Sequence, residues 1–167
     1  MNIREERPVD AERIRTVNLA AFETSTEADL VDALRRHAAP VISLGAEEDA
    51  NIVGHILFSP VTLADEAKLT LMGLAPMAVV PARQRQGIGS SLVVEGLERC
   101  RRANVAAVVV LGHAEYYPRF GFMPAARMSL RCEYDVPEDV FMVRELYDGA
   151  LRGVSGTIRY HPVFANF

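Results

Sequence analysis

Apolar residues recur at helical spacing in some stretches of the chain and crowd together at strand-like density in others. Ile14, Val17 and Ala21 share one face of a helix predicted over residues 10–22, which Asp10 can cap. Thr26 with Asp29 resembles a capping box and opens a second helix, whose apolar stripe is Leu30, Val31 and Leu34. Ile88, Leu92, Val93, Leu97 and Cys100 mark a third, which Asn104 can end. A short strand is predicted over 2–7. Strands over 41–47 and 52–59 are spaced as a hairpin joined through Glu48-Asp49-Ala50-Asn51. A second turn near Asp65-Glu66-Ala67 leads into a long apolar stretch over 69–80. Residues 105–111 form an unbroken apolar run, as in a strand buried on both faces. A short turn or helix over 113–120 precedes a C-terminal β region. Antiparallel strands followed by strand–helix–strand with a right-handed crossover predict an α/β fold with a mixed sheet. No repeat, low-complexity segment or linker interrupts the pattern, so residues 1–167 are expected to form a single domain.

Composition narrows the function classes. Half of the 167 residues are hydrophobic and 24% are charged, as in soluble globular proteins. Lys+Arg is 18 against Asp+Glu 22, a net charge of -4, without the basic footprint of a nucleic-acid binder. The two cysteines, Cys100 and Cys132, cannot build a disulfide framework and lack the spacing and His neighbours of a zinc site. Both read as small, buried or half-buried residues, and no metal is expected. Residues 1–7 carry no apolar signal region, and no apolar run approaches the ~20 residues that cross a bilayer. A cytoplasmic protein with no membrane partner is the expectation.

The segment richest in chemistry is Pro81-Ala82-Arg83-Gln84-Arg85-Gln86-Gly87-Ile88-Gly89. A buried strand ends here, a basic turn with two glycines follows, and a helix begins. Helix N-termini present N–H groups and partial positive charge, and glycines let a phosphate approach the backbone. Anion binding is implied, specifically of a pyrophosphate. A P-loop is excluded because no Lys follows the glycines. A Rossmann turn fails because Gly87-Ile88-Gly89-Ser90-Ser91-Leu92 lacks the third glycine, and because the turn comes after several strands. A plain glycine-containing helix start remains the bland alternative.

Val79-x-Pro81-x-x-Gln84-x-x-Gly87-x-Gly89 resembles the acetyl-CoA-binding motif of GNAT acetyltransferases, [QR]-x-x-G-x-[GA]. About thirty residues on, Tyr116-Tyr117-Pro118-Arg119-Phe120-Gly121-Phe122 resembles the second hallmark of that family, a Tyr followed by a Gly-Phe pair. The order of the motifs and the helix and strand between them extend the resemblance over nearly the whole chain. With Gly54-His55-Ile56-Leu57-Phe58-Ser59-Pro60, it is similar to the YhbS-like branch.

The resemblance implies a GNAT-like acyl-CoA N-acyltransferase fold, a mixed central sheet flanked by helices. It implies acetyl-CoA as cosubstrate and transfer of its acetyl group to an amine, a small molecule or a protein amino group. The pyrophosphate would sit on the turn, from Gln84 through Arg85, Gln86, Gly87, Ile88 and Gly89 to Ser90, with Arg83 or Arg85 as side-chain partner. The pantetheine arm would lie along Met77-Ala78-Val79 as an added β-partner. Pro76 has no N–H and favours a bulge or splay there. Val79 would offer its N–H to the developing oxyanion. Tyr117 would be the general acid for the departing thiolate, with Tyr116 as its neighbouring candidate. Phe120 and Phe122 read as packing residues. Neither motif contains a cysteine, so the amine is expected to attack the thioester directly.

The chain also departs from common family patterns. Leu71-Met72-Gly73-Leu74-Ala75-Pro76-Met77 offers no carboxylate where many members carry a Glu. Gly112-His113-Ala114-Glu115 stands where an Asn is often found. His113 is therefore a candidate base, with Glu115, Glu27 and His55 as further options. Glu23, Glu27 and Asp29, and Glu133, Asp135, Glu138 and Asp139, would give acidic rims suited to a cationic amine. Solvated loop charge is the plain alternative. Other functions consistent with the turn are a non-catalytic acetyl-CoA-binding regulatory module and a generic nucleotide binder. A homodimer is expected through an apolar edge formed by Phe141-Met142-Val143 and Ile158-Arg159-Tyr160, unless His161-Pro162-Val163-Phe164 folds over it.

Overall fold

Local pattern and long-range pairing together produce two compact units in the computed structural model, which describes residues 1–64 and 68–167. The turn expected at Asp65-Glu66-Ala67 lies outside the described residues. The first unit comprises Met1–Ser59, Ala75–Gly96 and Pro162–Phe167; the second comprises Pro60–Leu74 and Leu97–His161.

In the first unit, β1 (Asn2–Glu5) pairs antiparallel with β2 (Ile42–Glu48), which pairs antiparallel with β3 (Asn51–Leu63). The β2–β3 register closes at Glu48↔Asn51, leaving Asp49 and Ala50 as a two-residue loop at φ 51° and 67°. Both central residues are left-handed, as in a type I′ turn, whose twist matches that of its strands. Helices α1 (Ala11–Ala21) and α2 (Thr26–His37) bury Ile14, Val17, Leu30, Val31 and Leu34 against Ile52 and Leu57 of β3. Val163 and Phe164, from the C-terminal end, pack on the same cluster. Helix α3 (Ile88–Arg102) approaches β3 closely at Gly96, where a Cβ would fall 2.4 Å from a ring carbon of the fully buried Phe58.

The expected caps take other forms. Asp10 makes no cap bond to α1; its buried carboxylate accepts from the Arg7 N–H at 2.7 Å and from the Arg4 guanidinium at 2.7 and 3.1 Å. Arg4 holds this carboxyl far below the usual carboxylate range. Thr26 is the first residue of α2 rather than its cap. Ser25 precedes it, and the Ser25 hydroxyl donates to Asp29 Oδ2 at 2.9 Å.

His55 lies wholly buried in β3 between Asn18 and Ser43. The Asn18 amide nitrogen donates to Ile14 O at 3.0 Å and faces His55 Nδ1 at 3.3 Å. Nδ1 must therefore accept, and Nε2–H donates to Ser43 Oγ at 2.9 Å. Burial, reinforced by Arg35, lowers the imidazole pKa from 6.5 to about 3. Between those values the unfolded chain binds a proton that the folded chain refuses, so stability falls as pH drops through the window. The loss approaches about 1.4 kcal/mol per pH unit. Thermal melts between pH 7.5 and 5 should show it, and the His55→Gln variant should melt with a flatter pH profile. Asp10 titrates much lower and contributes nothing in that range.

In the second unit, the start of β4 (Leu71–Val79) pairs parallel with β5 (Ala107–Leu111), from Leu71↔Ala107 to Leu74↔Val110. This is the pairing a strand–helix–strand connection requires. The register ends at Leu74, just before Ala75-Pro76, where proline can no longer donate to a ladder. On its other side β5 pairs antiparallel with β8 (Phe141–Glu145), and β8 pairs with β6 (Met123–Pro124). β9 (Gly156–Arg159) lies between the end of β3 and β7 (Leu130–Cys132), parallel to the latter. The sheet is therefore mixed, as predicted. Phe141-Met142-Val143 and Ile158-Arg159 form no open edge, because Val143 faces both Val109 and Met123 while Ile158 faces both Leu63 and Cys132. Val143 and Ile158 therefore offer a second copy of the chain no unpaired strand edge through which to form the expected homodimer. The C-terminal tail packs on α2 and on the apolar cluster that α2 shares with β3. Cys100 is buried, Cys132 half-buried, and both are free thiols.

Candidate functional site

The glycine turn belongs to the first unit. At the end of β4, the Val80 N–H donates to Val53 O in β3 at 3.0 Å. Successive peptide groups of an extended strand point to opposite sides, so the Val79 N–H and C=O point away from β3. The Val79 carbonyl accepts from Gln84 Nε2 at 2.9 Å. Gln84 thus ties the turn back to the strand end, and its own N–H is directed to Pro81 O at 3.3 Å. Met77 and Val79 are half-buried, and Ala78 faces the core.

Two left-handed residues, Arg85 at φ 63° and Gly87 at φ 85°, then bend the chain into α3. Ser91 N–H donates to Gly87 O at 3.0 Å, closing the first helical turn. The amides of Ile88 and Gly89 therefore sit at the positive end of the helix. Ser90 lies in the same turn, half-buried. A Cβ built on Gly87 meets nothing within 4 Å, so that face of the turn is open. The side chains around it are not equally available. Arg83 is paired with Glu48, with one contact at 2.7 Å, and donates from Nε to Gln86 Oε1 at 3.0 Å. Gln86 Nε2 donates to Ala82 O at 3.3 Å. Arg85 is exposed and has no ion pair among the described residues. Of the two arginines expected to serve the anion, the geometry leaves Arg85.

The tyrosine turn belongs to the second unit. Beyond β5, Gly112 N–H donates to Val140 O at 3.0 Å. The His113 carbonyl accepts from the N–H groups of Tyr116 at 3.0 Å and Tyr117 at 3.4 Å, winding the chain into a short 3₁₀ turn, Tyr117–Phe120. Gly121, at φ 88°, ends it. The Tyr117 ring is only 7% exposed. It meets Tyr116 edge-on at 5.1 Å between centroids and Phe122 at 5.6 Å. Phe120 and Phe122 are buried packing residues, as expected. Burial, with Tyr116 alongside, pushes the Tyr117 phenol up to about 12. Its hydroxyl has no hydrogen-bond partner among the described residues. Arg119 lies 4.6 Å from the centre of the Tyr116 ring.

The candidate bases separate by exposure. His55 cannot reach a substrate amine: it is fully buried, and both ring nitrogens are engaged. His113 and Glu115 are exposed, and Glu27 is half-buried in the first turn of α2. In the acidic rims, Asp29 is paired with Arg15 at 2.9 Å. Glu133 accepts from the Tyr160 N–H. With Asp135, Glu138, Leu130, Val136 and Phe141, Glu133 lines a cavity of about 330 Å³ within the second unit. Among the described residues no cluster of His, Cys, Asp and Glu could hold a metal ion, and no helix is long and apolar enough to cross a membrane.

In the sequence Gln84 is only part of a binding motif; its bond to the Val79 carbonyl, which braces the turn, follows from the fold. Gly112 stands in the sequence only as the first residue of the segment that departs from the family pattern.

The acetyltransferase (GNAT) domain family matches residues 2–125 of the chain. Over the full length of both proteins, the chain is 40% identical to the N-acetyltransferase YhbS of Escherichia coli K12. Its structure is similar to that of E. coli YhbS in complex with CoA, at TM-score 0.93 and 40% identity, covering 99% of this chain and 92% of that one. It is also similar to a GNAT family acetyltransferase from Brucella melitensis in complex with acetyl-CoA, at TM-score 0.80 and 38% identity, covering 98% and 97%.

Proposed function

Since the chain belongs to the GNAT acetyltransferase family, we propose that it transfers the acetyl group of acetyl-CoA to an amine by direct attack on the thioester. The observation that carries this reading is the open, left-handed Gly87 at the start of α3, beside a strand whose Val79 N–H points away from β3. The amides from Arg85 to Ser90 receive the pyrophosphate, with the Arg85 guanidinium beside them. Met77, Ala78 and Val79 present a strand edge to the pantetheine arm. Acetyl-CoA supplies an activated acyl group and a thiolate leaving group.

The residues act as follows. The Val79 N–H donates to the carbonyl oxygen as negative charge develops on it, an interaction worth about 3 kcal/mol where such a donor has been removed from other enzymes. The attacking nitrogen loses its proton to His113, whose imidazole is exposed. The C–N bond forms as the C–S bond breaks, and the Tyr117 hydroxyl gives its proton to the sulfur. An amide and a free thiol leave. The acidic lining of the cavity at Glu133, Asp135 and Glu138 favours a cationic acceptor.

Thiol release from acetyl-CoA, followed across a panel of diamines, amino acids and peptides with free N-termini, tests the reading. Turnover above the hydrolytic background with at least one amine is expected. Tight acetyl-CoA binding with no thiol release across the panel would instead favour a non-catalytic binding module. Displacement of acetyl-CoA by ATP would favour a generic nucleotide binder.

A further inference from the structure

We infer that Gly112 is a positioning residue for Tyr117, and that its missing side chain is the slot in which the phenol ring is held. The inference rests on the proton-donor role proposed for Tyr117. Gly112 is not among the residues with positive φ, unlike Gly87 and Gly121, so no left-handed backbone bars a side chain there. What excludes one is space. A Cβ on Gly112 would lie 2.4 Å from Tyr117 Cε2, 2.9 Å from Cδ2 and 3.4 Å from Cζ. Carbon atoms pack at about 3.5–4.0 Å.

Neither partner can step aside easily. Gly112 is fastened to the end of the β5–β8 ladder by its N–H bond to Val140 O, one residue beyond Leu111↔Phe141. The Tyr117 ring is backed by Phe122 and Tyr116, and its N–H is held by the His113 carbonyl. A methyl group at position 112 must therefore swing the ring or break the Gly112–Val140 bond. Either change moves the hydroxyl, and misplacing a reacting group by 1 Å can cost about 100-fold in rate.

The test is Gly112→Ala, assayed for thiol release with the most active amine of the panel. We expect kcat to fall about 10-fold or more with acetyl-CoA affinity unchanged by calorimetry. In the Tyr117→Phe background the same substitution should cost little further, because the proton it misplaces is already gone. Wild-type kcat in Gly112→Ala, or a loss that simply adds to that of Tyr117→Phe, would overturn the inference.

A second measurement needs no turnover. Gly112→Ala should lower the melting temperature of the wild-type protein but not of Tyr117→Ala, whose truncated side chain leaves room for the methyl group. Equal losses in both backgrounds would refute the slot. Should Tyr117→Phe keep normal turnover, the proton-donor reading fails while the melting cycle still decides the packing.

Discussion

Gly87→Glu is expected to bind acetyl-CoA at least about 100-fold more weakly than the wild type, a loss of about 2.7 kcal/mol, while remaining folded. Gly87 sits at φ 85° and a Cβ there touches nothing within 4 Å, so the substitution disturbs no packing. Its structural cost is that of a non-glycine residue in the left-handed region, about 1–2 kcal/mol. The new carboxylate would project from the open face beside the N-terminus of α3, where a pyrophosphate would otherwise meet the amides. It would occupy that space and repel the phosphates. Gly87→Asn is the matched control: asparagine tolerates left-handed backbone and is uncharged. Titration calorimetry on both variants, with melting curves to confirm folding, separates charge from backbone strain. Unchanged affinity in a folded Gly87→Glu protein would remove the turn from the binding site.

Tyr117→Phe should lower kcat about 10²-fold, with acetyl-CoA affinity little altered. Phenylalanine preserves the ring that packs against Tyr116 and Phe122, and the hydroxyl it removes has no hydrogen-bond partner among the described residues. The change therefore isolates the proton. Burial raises the phenol to about 12, so it stays protonated across any ordinary assay pH. Loss of this proton cannot shape the rate profile until pH approaches that value. A decline in kcat between pH 8 and 10 would therefore belong to another group. Normal turnover in Tyr117→Phe would transfer the acid role to Tyr116 or to water.

What could be read from the sequence was what neighbouring residues determine. The stripes Leu30-Val31-Leu34 and Ile88-Leu92-Val93 became buried helix faces because periodicity is local. The turn at Asp49-Ala50, the glycine turn and the Tyr-Tyr-Pro-Arg-Phe-Gly-Phe segment all lie within a few residues of themselves. Long-range choices of partner were not legible. Asp10 looks like a helix cap until Arg4 and Arg7 claim its carboxylate. His55 looks like a candidate base until Asn18, 37 residues away, and Ser43, on the paired strand, enclose it. β8 and β9 look like edges until β6 and β7, too short to be conspicuous, pair with them. Nothing near Gly112 in the sequence marks it out, and only the ring of Tyr117 shows what the glycine accommodates.

The pairing of Arg83 with Glu48 sets the charge that the turn would offer an anion in solution. One guanidinium is compensated before any ligand arrives, leaving Arg85 and the amides of the helix start. Amide dipoles act within about one helical turn, and the chain as a whole carries a charge of -4. Such a surface would not gather anions from a distance; as the proposed pyrophosphate site it would recognise one on contact, through shape and directed N–H groups. Association should therefore be slow to respond to ionic strength, unlike capture by a strongly basic funnel, and discrimination among phosphates should reside in how long they stay rather than in how fast they arrive.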